Sequence, residues 1–301
     1  MPTVFVVGSS NVDYSVMVDR FPDPGATVLG TGFSQTVGGK GANQAAAAHR
    51  AGAEVVFVTK VGADAQGEMI IQRLREAGLA PNWILRDPIH ESGVALILVE
   101  RTGRNQIAVA PGGNQALTAQ DVRHALSHMQ HGDLLLVQLE VPLATAQAAL
   151  QMGKARGATT ILNPAPAQAL SDEVLRLVDV LIPNETEATA LTDCTDVEAA
   201  ARALFARGVS TVIVTLGEQG ALLCERAGIH RISAYPVHAV DTTGAGDAFC
   251  GALACGLAEG WTLERSMEFA NAAGALTTMK PGALDALPTR EEILRLQRSR
   301  P

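Results

Sequence analysis

Short, near-continuous apolar runs recur at residues 4–7, 55–60, 134–139, 160–162, 178–182 and 211–214, each rich in Val, Ile and Leu. A strand covered by helices above and below has no polar face to show, so runs of this kind mark parallel strands buried on both sides. Between them, helical periodicity appears at residues 40–51, 68–77, 143–156, 197–207 and 263–279. The alternation predicts an α/β layered fold built on a central parallel sheet.

Residues 15–37 and 92–110 break this pattern, with alternating strands, no helix, and the turn residues Pro22, Pro24, Gly25, Gly30, Gly32 and Gly103. They read as pieces of one small antiparallel sheet that pairs as a lid at the edge of the main sheet. With no tandem repeat or low-complexity tract, the expected organisation is one α/β domain over residues 1–301, with the lid inserted at about 14–38 and 92–110.

A chain of 301 residues, 47% hydrophobic, can bury a large core. Its net charge of −8 argues against nucleic acid as a partner, since such binding needs a basic face. The apolar runs are too short for a bilayer, and no basic flank precedes the run at 4–7. Neither membrane insertion nor a signal peptide is expected, and a cytoplasmic location is. The four cysteines, Cys194, Cys224, Cys250 and Cys255, show no CxxC spacing and read as reduced thiols. His124, His128 and His131 are spaced to share one helix face, yet no acid or thiol joins them. They are read as closing a helix before Gly132, where the dipole favours imidazolium, rather than as a metal site.

Polar groups cluster where the strands end, the place where open parallel sheets meet ligands. After the first strand, Gly8-Ser9-Ser10-Asn11-Val12-Asp13 lacks the GxGxxG of a dinucleotide site. Asn11 and Asp13 fit a vicinal diol or, equally, a loop whose Asx side chains cap their own backbone. Gly38-Gly39-Lys40-Gly41-Ala42-Asn43 opens an Ala-rich helix, but Ser34 and Gly41 stand where a P-loop needs Gly and Ser or Thr, which excludes a Walker site. Glu140 adds a carboxylate after the third main strand. Asn184 and Glu187 fit either a hydrated Mg²⁺ or a capping box. In Asp241-Thr242-Thr243-Gly244-Ala245-Gly246-Asp247, ahead of a helix at 248–257, the small residues would bare amides for phosphoryl charge. Asp247, in the first helical turn, is expected to be ionised and ready to accept a proton. An acid there is also an ordinary helix start.

Two of these segments, Gly38 to Ala45 and Asp241 to Asp247, carry a resemblance to the ribokinase-like carbohydrate and nucleoside kinases over almost the whole chain. Asn11-Val12-Asp13, Gln138-Leu139-Glu140 and Asn163-Pro164-Ala165-Pro166 point to the ribokinases within that family. The resemblance implies a three-layer α/β/α sandwich with a mostly parallel sheet and a β lid that also pairs two subunits into a homodimer. It implies transfer of the γ-phosphoryl of MgATP to the 5-hydroxyl of D-ribose, with Asp247 as base and Gly244, Ala245 and Gly246 as anion hole. Asn11, Val12, Asp13, Gly39, Lys40, Gly41, Ala42, Asn43 and Glu140 would hold the sugar. Asn184, the turn Thr215, Leu216, Gly217, Glu218, Gln219 and Gly220, and Asn271 would line the ATP site together with Gly246 and Asp247. Glu187 would hold Mg²⁺ through water. Asp241, Thr243, Thr277, Lys280, Gly282 and Ala286 would hold K⁺, Ala286 standing where a hydroxyl residue is common. A family kinase for deoxyribose, fructose or a nucleoside, and a sugar-binding regulator without catalysis, are the alternatives. The intact Asp247 and small-residue run weigh against the second.

Overall fold

The computed structural model describes residues 1–101 and 104–299. The chain runs through β1 (Val4–Val7), β2 (Asn11–Val18), β3 (Gly30–Gly38), α1 (Lys40–Ala51), β4 (Val55–Gly62), α2 (Ala65–Glu76), β5 (Ile84–Asp87), β6 (Gly93–Glu100) and β7 (Asn105–Ala110). There follow α3 (Ala119–Ala125), β8 (Leu134–Val137), α4 (Leu143–Arg156), β9 (Thr159–Leu162), α5 (Asp172–Leu175), β10 (Val180–Leu181), α6 (Glu185–Thr192) and α7 (Val197–Ala206). The last elements are β11 (Thr211–Thr215), β12 (Ala221–Glu225), β13 (Gly228–Ile232), α8 (Ala245–Ala258), α9 (Leu263–Thr277) and α10 (Arg290–Arg298).

The main sheet has nine strands in the order β13-β12-β11-β10-β9-β8-β1-β4-β5. Strand alternation builds its two faces. Val4 and Val6 of β1, with Leu134 and Leu136 of β8, join the core beneath α1, α8 and α9. Their neighbours Phe5, Val7, Leu135 and Val137 join the opposite core, beneath α3, α4 and α7. Every residue of β1 and β8 is buried, as a strand between two helical layers requires. The result is the expected three-layer sandwich with a mostly parallel sheet. The hairpin β12–β13 was not anticipated and adds an antiparallel edge. The strand expected over 178–182 shrinks to β10, two residues long.

Residues 15–37 and 92–110 do contribute to one small sheet, of order β3-β2-β6-β7, but it is not wholly antiparallel. Its central pair, β2 with β6, is parallel, from Asn11 opposite Gly93 to Val18 opposite Glu100. The reason is topological: both strands leave the carboxyl edge of the main sheet in the same direction, β2 from β1 and β6 from beyond β4. The turn expected at Gly103 lies outside the described residues. The three histidines do not share a helix face. Here α3 stops at Ala125 and tightens into a 3₁₀ turn over Leu126–His128, which breaks the 3.6-residue spacing. His124 and His128 pack instead against the Trp83 ring, with centroids 5.3 and 6.2 Å away. No helix among the described residues is long and apolar enough to cross a membrane.

Candidate active site

The site begins with the close approach of α1 and α8. A Cβ on Gly251 would lie 2.5 Å from the Gln44 carbonyl and 2.6 Å from the Ala47 Cβ, so only glycine lets the helices meet at this distance. One turn earlier on α8, Asp247 is thereby brought against the first turn of α1. Asn43 Nδ2 donates to its Oδ2 at 2.9 Å, and Gln44 Nε2 donates to its Oδ1 at 2.9 Å. At Gly244, which caps α8, φ is +76° and a Cβ would meet Ala283 at 3.0 Å, so the sharp entry into the helix needs glycine. The expected row of bare amides is partly used internally, because Ala245 N–H bends back to the Thr242 carbonyl at 3.3 Å.

Around the Lys40 ammonium stand Asp247, Glu140 and Glu187, and Asp13 feels both Glu140 and Asp247. Glu140 Oε2 accepts from the Lys40 backbone N–H at 3.0 Å and from the Ser9 hydroxyl at 2.5 Å, which ties the β8 end to the start of α1. Burial and the neighbouring Glu140 and Asp247 push the Asp13 carboxyl up to about 7. Burial pulls Lys40 down, but the surrounding carboxylates more than offset it and its pKa is raised. For Asp247 the expectation of a favoured ionised form is corrected. Its burial outweighs Lys40 and the two amide donors, and its pKa lies above the ordinary carboxylate value. The helix terminus supplies only a fractional charge, too little to replace lost water.

Strand alternation also sorts the expected sugar residues. Asn11 and Asp13 lie on one side of β2, whereas the Val12 side chain between them is wholly in the core. Ala42 is core as well, and a Cβ on Gly41 would sit 2.5 Å from the Gly8 backbone. The side chains of Val12 and Ala42 and the Cα of Gly41 therefore serve packing, while Lys40 lines the cleft and Asn43 bonds Asp247. Asn43 Oδ1, buried beside Asp247, has no hydrogen-bond partner among the described residues. A buried acceptor left unpaired is the kind of atom that a ligand hydroxyl satisfies.

On the far side of Asp247 opens a cavity of about 730 Å³, lined by Gly217, Glu218, Gln219, Gly220, Asn271 and Tyr235 among others. Its size is that of a nucleotide-scale pocket. A smaller cleft of about 480 Å³, lined by Lys40, Asn184, Glu187 and Asp247, joins it along Thr215, Gly217 and Gly246. Leu216, expected with this lining, is turned into the core beside Val214. Asn271 faces the cavity while its Nδ2 donates to the Ile232 and Ser233 carbonyls at 3.1 and 3.3 Å. Asn184 and Glu187 form the capping box, Glu187 Oε2 accepting the Asn184 N–H at 2.9 Å and Asn184 Oδ1 the Glu187 N–H at 2.8 Å. The box does not exhaust Glu187, whose carboxyl is held up by burial and faces Lys40 and Asp247.

Asp241 links two loops, accepting from the Thr243 N–H and hydroxyl on Oδ1 and from the Gly282 N–H on Oδ2, at 2.7 to 2.9 Å. These bonds hold its carboxyl below the usual range in spite of its burial. Thr277 and Ala286 are fully buried nearby in the chain, and Lys280 turns outward to Glu292. Residues not singled out from the sequence include Ser9, Gln44 and Asn114. Asn114 Nδ2 donates to Asn11 Oδ1 at 2.8 Å, leaving the Asn11 amide nitrogen free to face a ligand. The available signal was polar character inside apolar surroundings, as with Gln44 in its run of alanines.

This arrangement has counterparts among known proteins. The pfkB family carbohydrate kinase pattern matches residues 1–290. A ribokinase of Haemophilus influenzae is 38% identical over 297 residues, covering 97% of each chain. A deoxyribokinase of Salmonella typhi is 36% identical over 295 residues, covering 96% of each. An Arabidopsis thaliana ribokinase, solved with ribose and ATP, superposes with a TM-score of 0.88 at 31% identity over 98% of each chain. With the match running from the first strand to the last helix, through both glycine-bearing segments that meet at Asp247, the chain belongs to the pfkB family of carbohydrate kinases.

Proposed function

We propose that the chain is a ribokinase, transferring the γ-phosphoryl of MgATP to the 5-hydroxyl of D-ribose to give ribose 5-phosphate and ADP. The observation that carries this reading is the placement of Asp247. It is a buried carboxylate at the start of α8, between the polar cluster of Asn11, Asp13, Lys40, Asn43 and Glu140 and the nucleotide-sized cavity. In the reaction Asp247 takes the proton of the 5-hydroxyl, the new O–P bond forms, and the bond from the γ-phosphorus to the β-phosphate oxygen breaks. Its raised pKa matches that task, since a stronger base takes the proton more readily once ionised. Lys40 offsets negative charge beside it. The Gly244 and Gly246 amides face developing phosphoryl charge, while the Ala245 N–H stays with the Thr242 carbonyl. A purified sample should release ADP with ribose in preference to other sugars. The similarity to a deoxyribokinase favours a second reading, turnover of 2-deoxyribose, which the same assay separates.

The donor sets fit two cations. Glu187 offers carboxylate oxygens at the cleft beside Asn184, the chemistry a hydrated Mg²⁺ prefers, and Mg²⁺ there would neutralise phosphate charge. Asp241, with Thr243 and the loop of Thr277, Lys280, Gly282 and Ala286, offers carboxylate, hydroxyl and carbonyl oxygens for K⁺, Ala286 contributing no side-chain oxygen. Because Asp241 ties Gly282 to the loop entering α8, a cation held there fixes the segment leading to Gly244. Activity should rise with K⁺ over an equal concentration of a large organic cation, at matched ionic strength. Equal rates in both salts, with NH₄⁺ excluded, would remove K⁺ from the account.

Residues 14–38 and 92–110 are proposed as a lid within one catalytic unit, and as the contact of a homodimer in the cytoplasm, where ATP is supplied. The edge strand β7 supports pairing: Ile107 and Val109 are about half exposed there, and such an edge invites cover by another chain. Sedimentation over a concentration series should show a dimer. A monomer throughout the micromolar range would contradict this contact.

A further inference from the structure

Behind Asp247 lies a second rank of side-chain amides that the proposed reaction does not itself use. Gln44 and Gln138 are both fully buried. Gln138 Nε2 donates to Gln44 Oε1 at 2.6 Å, and Gln44 Nε2 donates to Asp247 Oδ1 at 2.9 Å and to Asn163 Oδ1 at 3.0 Å. Asn163 is anchored in turn by donating from Nδ2 to the Ile182 carbonyl at 2.8 Å. The partners fix which way the Gln44 amide points: the Asp247 carboxylate only accepts, and Asn163, its Nδ2 committed to Ile182, presents Oδ1, so the Gln44 nitrogen faces both and its oxygen faces Gln138. Space for Gln138 comes from Gly8, where a Cβ would lie 1.9 Å from Gln138 Oε1. Three segments far apart in sequence, opening α1, following β8 and following β9, thus meet in one network that reaches Asp247 Oδ1 through Gln44.

We propose that Gln44 is a positioning residue for phosphoryl transfer, braced by Gln138 and Asn163, that holds the plane of the Asp247 carboxylate and stabilises its ionised form. The inference rests on the reading of Asp247 as the base. Without the Gln44 donor, Oδ1 loses a hydrogen bond in a site that has no bulk water to replace it, and the carboxylate is free to rotate about its Cβ–Cγ bond. Both effects fall on turnover rather than on sugar affinity, because Gln44 bonds Asp247, Asn163 and Gln138 and none of Asn11, Asp13, Lys40, Asn43 and Glu140.

The charged groups around Asp247 decide the sign of the pH effect. They are Lys40 from α1, Glu140 after β8, Asp13 from β2, Glu187 from α6 and the Cys250 thiol one turn along α8. Only Lys40 favours the ionised form, so the neutral amide donors supply the rest of that preference. Removing one raises the pKa of Asp247, and the acid limb of kcat/KM moves to higher pH.

The test uses Gln44→Leu and Gln44→Met in the full chain, with Asp247 titrated directly by carboxyl carbon NMR of the unliganded protein, its resonance assigned by loss in Asp247→Asn. Each variant that folds should show an Asp247 pKa about one pH unit higher. It should also show an acid limb shifted equally, and kcat reduced about tenfold with the KM for ribose little changed. Gln138→Leu leaves the donor in place but unbraced and should shift both readouts the same way, by less. An Asp247 pKa and acid limb that stay at their wild-type positions in the folded Gln44 variants overturn the proposal. Because the NMR titration needs no substrate, it stands even if ribose proves not to be the acceptor, and so separates failure of this inference from failure of the ribokinase reading.

Discussion

Asp247→Asn is expected to lower kcat by about 100- to 10,000-fold, the range lost when a general base is removed. The amide has nearly the same shape as the carboxylate but no basic lone pair for the proton of the 5-hydroxyl. In this site the change has a second consequence. Asn43 and Gln44 both donate to Asp247, one to each oxygen, and an Asn side chain can accept from only one of them. One buried donor therefore faces an NH₂ group, and Lys40 loses one of its carboxylate neighbours. The melting temperature should be followed beside the kinetics, and ribose and ATP binding measured directly by calorimetry. The expected pattern is retained binding with turnover lost. A variant with near wild-type kcat would show that Asp247 is not the base.

Asp13→Asn should stabilise the unliganded protein above neutral pH and at the same time weaken ribose. The Asp13 carboxyl is displaced from 3.8 to about 7 by burial and by Glu140 and Asp247. A folded-state pKa above the unfolded value means that the folded protein binds the proton more tightly, so raising the pH through this window, from about 4 to about 7, costs stability. The full displacement corresponds to roughly 4 kcal/mol, shared among the interacting carboxylates. Asn removes that cost. Its melting temperature should exceed wild type at pH 8, and the gap should close as the pH falls toward 5. Ribose affinity should move the other way, by roughly 10- to 100-fold, as charge-assisted hydrogen bonds to sugar hydroxyls are lost. An unchanged dissociation constant would take Asp13 out of the sugar site, and an unchanged melting profile would show that its ionisation is not strained by the fold.

The same carboxylates show what a sequence can and cannot reveal. Main-sheet strands such as β1 and β11 were legible because burial on both faces leaves an apolar run, and α1 and α4 because their boundaries coincide with Gly39, Gly52, Pro142 and Gly157. The hairpin β12–β13 escaped notice because no residue of its second strand is buried and it carries no comparable run. The parallel pairing of β2 with β6 escaped for a different reason: alternation specifies which residues share a face, while strand direction is set by connections through the main sheet. At the site, Asp247 and Lys40 stand in glycine-rich segments whose backbone demands mark them. Gln44 and Gln138 stand inside the motifs that carry the resemblance and Asn114 outside them, but no role could be read for any of the three, since it arises from contacts across more than 90 residues of chain. The direction in which the Asp247 pKa moves was misjudged because the helix terminus is visible in the sequence and burial is not.

The central claim is tested most directly by coupled ADP release from the purified protein across D-ribose, 2-deoxyribose, fructose and a nucleoside, with MgATP and K⁺ present and the product identified by NMR. The account predicts the highest kcat/KM for ribose, ribose 5-phosphate as product, and loss of both in Asp247→Asn. A higher kcat/KM for another acceptor, or ribose binding without ADP formation, would contradict it.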